Sequence, residues 1–256
     1  MGILAFKLTL TPLLIALCTL AARRWGPVVG GLIVGLPLTS GPVSIFLAVE
    51  HGGDFAAAAA IGTILGDLSV IAYCLAYARA AQKFSWPGAL FLALVVYGIT
   101  GALLSFLSFS LSQAALFAIL LITAALAVEK KRAAKAIAIT PPKWDIPFRM
   151  AAATTVVLIV TALSSRLGPH ISGVFSAFPV FLSVMFAFSH KLCGPESTRP
   201  FARGIILGSF SFEAFFIVVA LAAQNTHPAL VYLLAALTAI GVNLATMALV
   251  MRRSAR

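Results

Sequence analysis

The sequence predicts an all-α membrane protein of nine transmembrane helices, built as an inverted 4+1+4 repeat with helices 2 and 7 kinked or broken. Three observations lead there. The 256 residues are 61% hydrophobic and only 10% charged, with a mean hydropathy of +1.07; a soluble domain carries about a quarter charged residues. Residues 24–82 recur at 166–224 with a constant offset and no gap. The basic residues fall almost wholly on one side of the apolar segments.

The repeat pairs Arg24, Gly26 and Pro27 with Arg166, Gly168 and Pro169. It then pairs Gly31 with Gly173, Pro37 with Pro179 and Gly52 with Gly194. Gly62, Ile64, Leu65 and Gly66 recur as Gly204, Ile206, Leu207 and Gly208. Eighteen of the fifty-nine positions are identical, where so biased a composition gives roughly a tenth by chance. The glycines and prolines weigh most, because they carry backbone geometry as well as apolarity. An internal duplication in an apolar chain points to a carrier fold.

Taken in order, apolar spans read at 4–22, 28–49, 55–78, 88–108, 111–128, 149–165, 170–190, 201–223 and 229–250. Each is close to the roughly twenty residues a bilayer requires. Span 1 resembles a signal peptide, but Arg23 and Arg24 after it outweigh Lys7 before it, the reverse of a secretory charge order. It is therefore read as a mature span. Spans 1–4 match spans 6–9, so residues 1–109 form the first repeat and 148–256 the second. Residues 110–147 supply the joining span 5 and a basic linker containing Pro141 and Pro142. A displacement of five spans is odd, so the halves are expected upside down relative to each other.

The charges set the orientation. The odd-numbered loops and the C-terminus hold sixteen of the 18 Lys and Arg residues; Lys7 and Arg166 alone lie on the other side. The odd loops are therefore read as cytoplasmic, the N-terminus as outside and the C-terminus as inside a bacterial-type inner (plasma) membrane. Trp25, Trp86 and Trp144 all fall beside those loops, as interfacial anchors do. This distribution turns the net charge of +11 away from nucleic acid and toward the lipid bilayer as partner. Cys18, Cys74 and Cys193 are too few and too scattered for a disulfide framework or a thiolate metal site.

Two sets of residues carry candidate chemistry. Span 2 contains Gly35, Pro37, Thr39, Ser40, Gly41 and Pro42. Pro37 has no N–H for the carbonyl of Ile33, and Pro42 none for that of Leu38. Span 7 has Pro179 at the position matching Pro37, with Ser176 and Ser183 beside it. Free carbonyls in hydrocarbon need partners, so two broken helices meeting at the midplane can line a substrate site. The second set is Asp67 and Glu213, the acids deepest in the spans. Each lies twelve residues from the phenylalanine that opens its span, Phe55 or Phe201, roughly 18 Å along a helix and near the bilayer centre. Thr63 and Ser209 lie four residues earlier, within hydrogen-bond reach of the acids. Each acid also follows a small-xxx-small pair suited to close helix contact, Gly62/Gly66 or Gly204/Gly208.

A carboxyl in a dry bundle is favoured in its neutral form and can take up and release a proton; paired acids with free carbonyls can alternatively hold Na⁺. His51, His170, His227, Glu50 and Asp54 gather on the outer side without a metal-binding spacing, and Asn243 reads as glue between helices. No metal site, cofactor or enzyme motif is read. The expectation is a secondary transporter of a small solute, coupled to protons or a cation through Asp67 and Glu213. The alternative is a non-transport membrane protein, either a lipid-processing enzyme or an assembly partner. Topology tests the frame directly. Reporter fusions at Lys135 and Arg256 are expected to read cytoplasm and one after Gly52 the outside; an outside signal at Lys135 would dismantle the nine-span order.

Overall fold

The structure, a computed structural model, describes residues 19–37, 40–129 and 179–252, with short stretches at 146–148, 150–152 and 154–155 and single positions at 9, 13, 16 and 17. Most of spans 1 and 6, the start of span 7 and nearly all of the basic linker lie outside the described residues, as do Thr39 and Ser176. Described regular structure is helical, without strands. The helices are α1 (Pro27–Val34), α2 (Ser40–His51), α3 (Gly53–Ala80), α4 (Trp86–Ser105), α5 (Leu111–Val128), α6 (Val180–Cys193), α7 (Thr198–Ala222) and α8 (Pro228–Arg252). A 3-10 turn, Pro195–Ser197, leads into α7. Five stretches are long and apolar enough to cross a membrane: α3, α4, α5, α8, and α7 together with its leading turn.

Helix boundaries follow local chemistry. Span 2 is two helices, because α1 ends at Val34 and α2 starts at Ser40. Pro37 cannot donate to the Ile33 carbonyl, and the last turn tightens instead. Leu36 N donates to Ile33 O at 3.2 Å and Gly35 N to Gly31 O at 3.0 Å. The unpaired carbonyl thereby moves from Ile33, where the sequence placed it, to Leu32. Asn243 on α8 donates to it from Nδ2 at 3.1 Å. Pro42 differs from the sequence expectation in one respect: the described helix runs on through it from Ser40 to His51 without interruption. Pro179 stands immediately before α6. Helix α5 starts with a capping box, Ser110 N donating to Gln113 Oε1 at 2.9 Å. Gly52 before α3 and Gly194 before the turn leading into α7 hold φ of 87° and 77°, a region L side chains rarely adopt.

Helix α7 is the hub and packs on α1, α3, α5, α6 and α8. Its crossing with α1 is a contact of backbone on backbone. A Cβ added at Gly35 would lie 2.6 Å from the Gly208 Cα, and one at Gly208 would lie 2.7 Å from the Gly35 Cα. Gly31 and Gly204 are equally tight, against the carbonyls of Phe201 and Val28 respectively. This is a small-xxx-small pair on each helix, Gly31/Gly35 against Gly204/Gly208. For Gly62/Gly66, no described atom lies within 4 Å of a Cβ at either position, and the residues equivalent to Gly31 and Gly35, 173 and 177, lie outside the described residues.

Helices α3 and α7 run antiparallel. Gly53 meets Ala223 and Gln224 at one end, and Gln82 Nε2 donates to the Pro195 carbonyl at 3.1 Å at the other. Buried Tyr73, Tyr77, Phe186 and Phe201 fill the junction of α3, α6 and α7, with Phe186 at 4.5 Å from Tyr77 and 5.0 Å from Phe201 between ring centroids. Charge is segregated along the bundle. Arg79 and Arg203 converge at one end on Glu129, Arg79 at 3.7 Å from its carboxylate and Arg203 through its backbone carbonyl. Glu50, His51, Asp54 and His227 lie at the helix ends opposite.

The glycine crossing predicts a sharp mutational response. Gly208→Leu is expected to destabilise the folded protein by about 1–3 kcal/mol or more, the usual cost of overpacking. Thermal unfolding of the variant in detergent measures it; an unchanged melting temperature would contradict the packing.

Candidate functional site

The site grows from the antiparallel α3–α7 contact. Asp67 is 13 residues before the end of α3 and Ser209 is 11 residues into α7, so both lie mid-helix. Their side chains are neighbours, yet Asp67 Oδ2 and Ser209 Oγ both lack a hydrogen bond of good geometry. Glu213, one turn beyond Ser209 on the same face of α7, is close enough to feel the charge of Asp67. Asp67 is 7% and Glu213 3% exposed, and neither Glu213 oxygen has a hydrogen-bond partner. Two carboxyls and a hydroxyl therefore share a dry space with hydrogen-bonding capacity unused. Such groups rarely stay unsatisfied in a folded interior, and an ionised carboxylate there is costly without a partner. The arrangement favours holding a proton or a small cation between the acids.

Several sequence-expected residues do something else. Thr63 Oγ1 donates to the Ala59 carbonyl at 2.9 Å, back along its own helix, so its hydroxyl proton is used there. Ser183 accepts from the Tyr73 hydroxyl at 3.1 Å and ties α6 to α3. Gly35 belongs to the glycine crossing, Pro37 to the break, and Ser40, Gly41 and Pro42 to α2, where Gly41 N donates to the Pro37 carbonyl at 2.8 Å. The Asp67–Glu213 pair and the broken helix thus share α7 as their support.

Sequence reading passed over two features. Ser44 and Tyr232 join α2 to α8: their hydroxyls are 2.8 Å apart, and Tyr232 Oη also donates to the Ser44 carbonyl at 2.6 Å. No motif marks this pair, because the residues are 188 apart. Glu213 also borders an apolar crevice of about 370 Å³ between α5, α7 and α8. A second crevice, of about 470 Å³, lies between α2 and α8 near Ile45, Val49 and His227. Neither touches Asp67. Among the described residues no group of three or more His, Cys, Asp or Glu side chains is placed to hold a metal ion. No family model, curated protein or solved structure matches this chain.

The nearness of the two acids makes a measurable demand. Asp67→Asn and Glu213→Gln keep size and hydrogen-bonding capacity, so each variant is expected to fold. Their stability changes are expected to be non-additive by about 0.5–3 kcal/mol, the range for residues sharing one network. A double-mutant cycle on purified protein checks this, and strict additivity would separate the acids.

Proposed function

We propose that this chain is a small secondary transporter of the inner membrane, and that Asp67 and Glu213 bind and release the coupling proton or cation. The observation that carries this is the mid-helix acid pair whose hydrogen-bonding capacity the described residues leave unused, with no basic side chain among the described residues acting on it. Intramembrane acids are costly and mark ion pathways by default.

The proposal includes the inverted repeat, which several geometric equivalences support. The segments Gly53–Ala80 and Pro195–Ala222 are both 28 residues long and stand in the register of the sequence repeat. Gly52 and Gly194, equivalent in that register, share the same backbone conformation, with ψ of 174° and 171°. The contact of Gln82 with Pro195 has its counterpart in that of Gln224 with Gly53. Ser211 receives a hydrogen bond from Asn243 at 3.2 Å, and its equivalent Ser69 lies against Gly101, the equivalent of Asn243. Asp67 and Ser209 are equivalent to each other, and they meet. Two antiparallel helices bring equivalent positions together only where a two-fold axis passes between them, and that axis runs across the helices, as inverted topology requires. With the basic end of the bundle taken as cytoplasmic, the site lies near the middle of the membrane.

One observation favours a second class. The crevice beside Glu213 is walled by exposed apolar side chains of α5 and α8, Ile119 and Leu249 among them, a surface that suits an intramembrane lipid-processing enzyme. Turnover of bilayer lipid by purified protein, lost in Glu213→Gln, would favour that enzyme over a carrier.

The deciding experiment is thermal stability of purified protein across a panel of metabolites, with and without Na⁺ and at two pH values. For a carrier, at least one solute raises the melting temperature by an amount that depends on pH or Na⁺. Asp67→Asn is expected to remove that dependence and to leave solute binding in place. Unchanged dependence in both Asp67→Asn and Glu213→Gln would overturn the coupling role.

A further inference from the structure

The two-fold relation between α3 and α7 is broken at one place that matters chemically. The repeat equivalent of Glu213 is Ile71, which is fully buried. Glu213 stands instead at the wall of the crevice between α5 and α8. The remaining lining is apolar apart from Thr246, whose hydroxyl already donates to the Val242 carbonyl at 2.8 Å. Glu213 is therefore the one polar group of the lining with its hydrogen-bonding capacity unused. Around it, α3 brings Asp67 as the acting charge, while α5 and α8 bring only uncharged side chains to the lining, such as Ile119 and Val242.

We propose that this crevice is a binding site for a cationic amphiphile entering from the bilayer, with its apolar tail along α5 and α8 and its positive head at Glu213. The proposal deepens the carrier function above and rests on it. Three observations combine. A volume of about 370 Å³ falls within the range of small-molecule pockets, roughly 300–1,000 Å³. Exposed apolar walls, Ile119 and Leu249 among them, suit ligands dissolved in the membrane. Two carboxyl oxygens without partners among the described residues, beside a second acid and with no lysine or arginine in the lining, select positive charge over neutral or negative heads. The Glu213 oxygens are sealed beneath the crevice surface, so a rotation of that one side chain presents them to the ligand. Charge balances by exchange: the carboxylic proton of Glu213 leaves to water as the cation arrives. One site then serves proton and substrate in turn.

The test uses the full chain in phosphatidylcholine nanodiscs with radiolabelled dodecyltrimethylammonium, whose charge does not change with pH. Protein-bearing discs are expected to take up about one probe per chain beyond empty discs, through a single-proton exchange that strengthens by up to about tenfold per pH unit. Glu213→Gln is expected to abolish the excess. Ala245→Trp is expected to abolish it too; Ala245 lines the crevice and is exposed, so a larger ring fills the space without moving the backbone. Uncharged dodecanol is expected to show no excess. No excess with the cation, equal excess with dodecanol, or binding unaffected by Glu213→Gln would each overturn the assignment. Ala245→Trp separates the two proposals, because it leaves Asp67 and Glu213 in place. If it loses the probe yet keeps the pH or Na⁺ dependence of stability, both stand. If wild type shows that dependence but never binds the probe, only the amphiphile site fails.

Discussion

The crossing of α1 and α7 without side chains between them is the constraint on which the rest of the structure depends. Gly31 and Gly35 lie directly on Gly204 and Gly208, closer than any Cβ allows. In lipid no hydrophobic force drives two apolar helices together, so close backbone packing has to supply the association. That contact fixes α1 at the point where Gly35 and Pro37 end it. It also brings the Leu32 carbonyl within reach of Asn243, which pays no separate ordering cost because α8 is already packed on α7. A helix broken inside a membrane is stable only when its freed carbonyl is satisfied by protein, and here a neighbour of α7 provides the donor.

Helix α7 then does two things with its two faces. One face carries the glycines to α1. Another carries Ser209 and Glu213 to Asp67 on α3. Rigid packing at the first holds the second in register, so the acids share one buried region. Polar bonds at either end reinforce the register. Arg79 and Arg203 gather on Glu129 at the basic end, and Ser44 and Tyr232 join α2 to α8 toward the other. The acids between them are among the buried groups left with unmet hydrogen-bonding capacity by the described residues, and that incompleteness is what a binding site requires.

In the proposed repeat, equivalence and its breaking fall at different places. The glycines before α3 and before the turn leading into α7, and the lengths of the helices that follow, match. The polar positions depart from equivalence: Asp67 faces Ser209 where a strict repeat would pair like with like, and Glu213 stands where the first half has Ile71. Asn243 opposes Ser211 where the first half has Gly101 opposing Ser69.

Much of this was legible in the sequence, because bilayer insertion and backbone breaking are local properties. Apolar length gave the membrane class, prolines and glycines gave the interruption of span 2, and the scarcity of intramembrane acids singled out Asp67 and Glu213. Partner choice was not legible. Thr63 bonds its own helix, and α2 runs on through Pro42 without interruption. The sequence by itself determined which residues are costly in lipid and where a helix cannot continue, since both depend on a residue and its immediate neighbours. Only the tertiary structure decided which glycine pair is an interface, which donor meets the Leu32 carbonyl and that the two acids share one space, because those depend on helices brought together from distant parts of the chain.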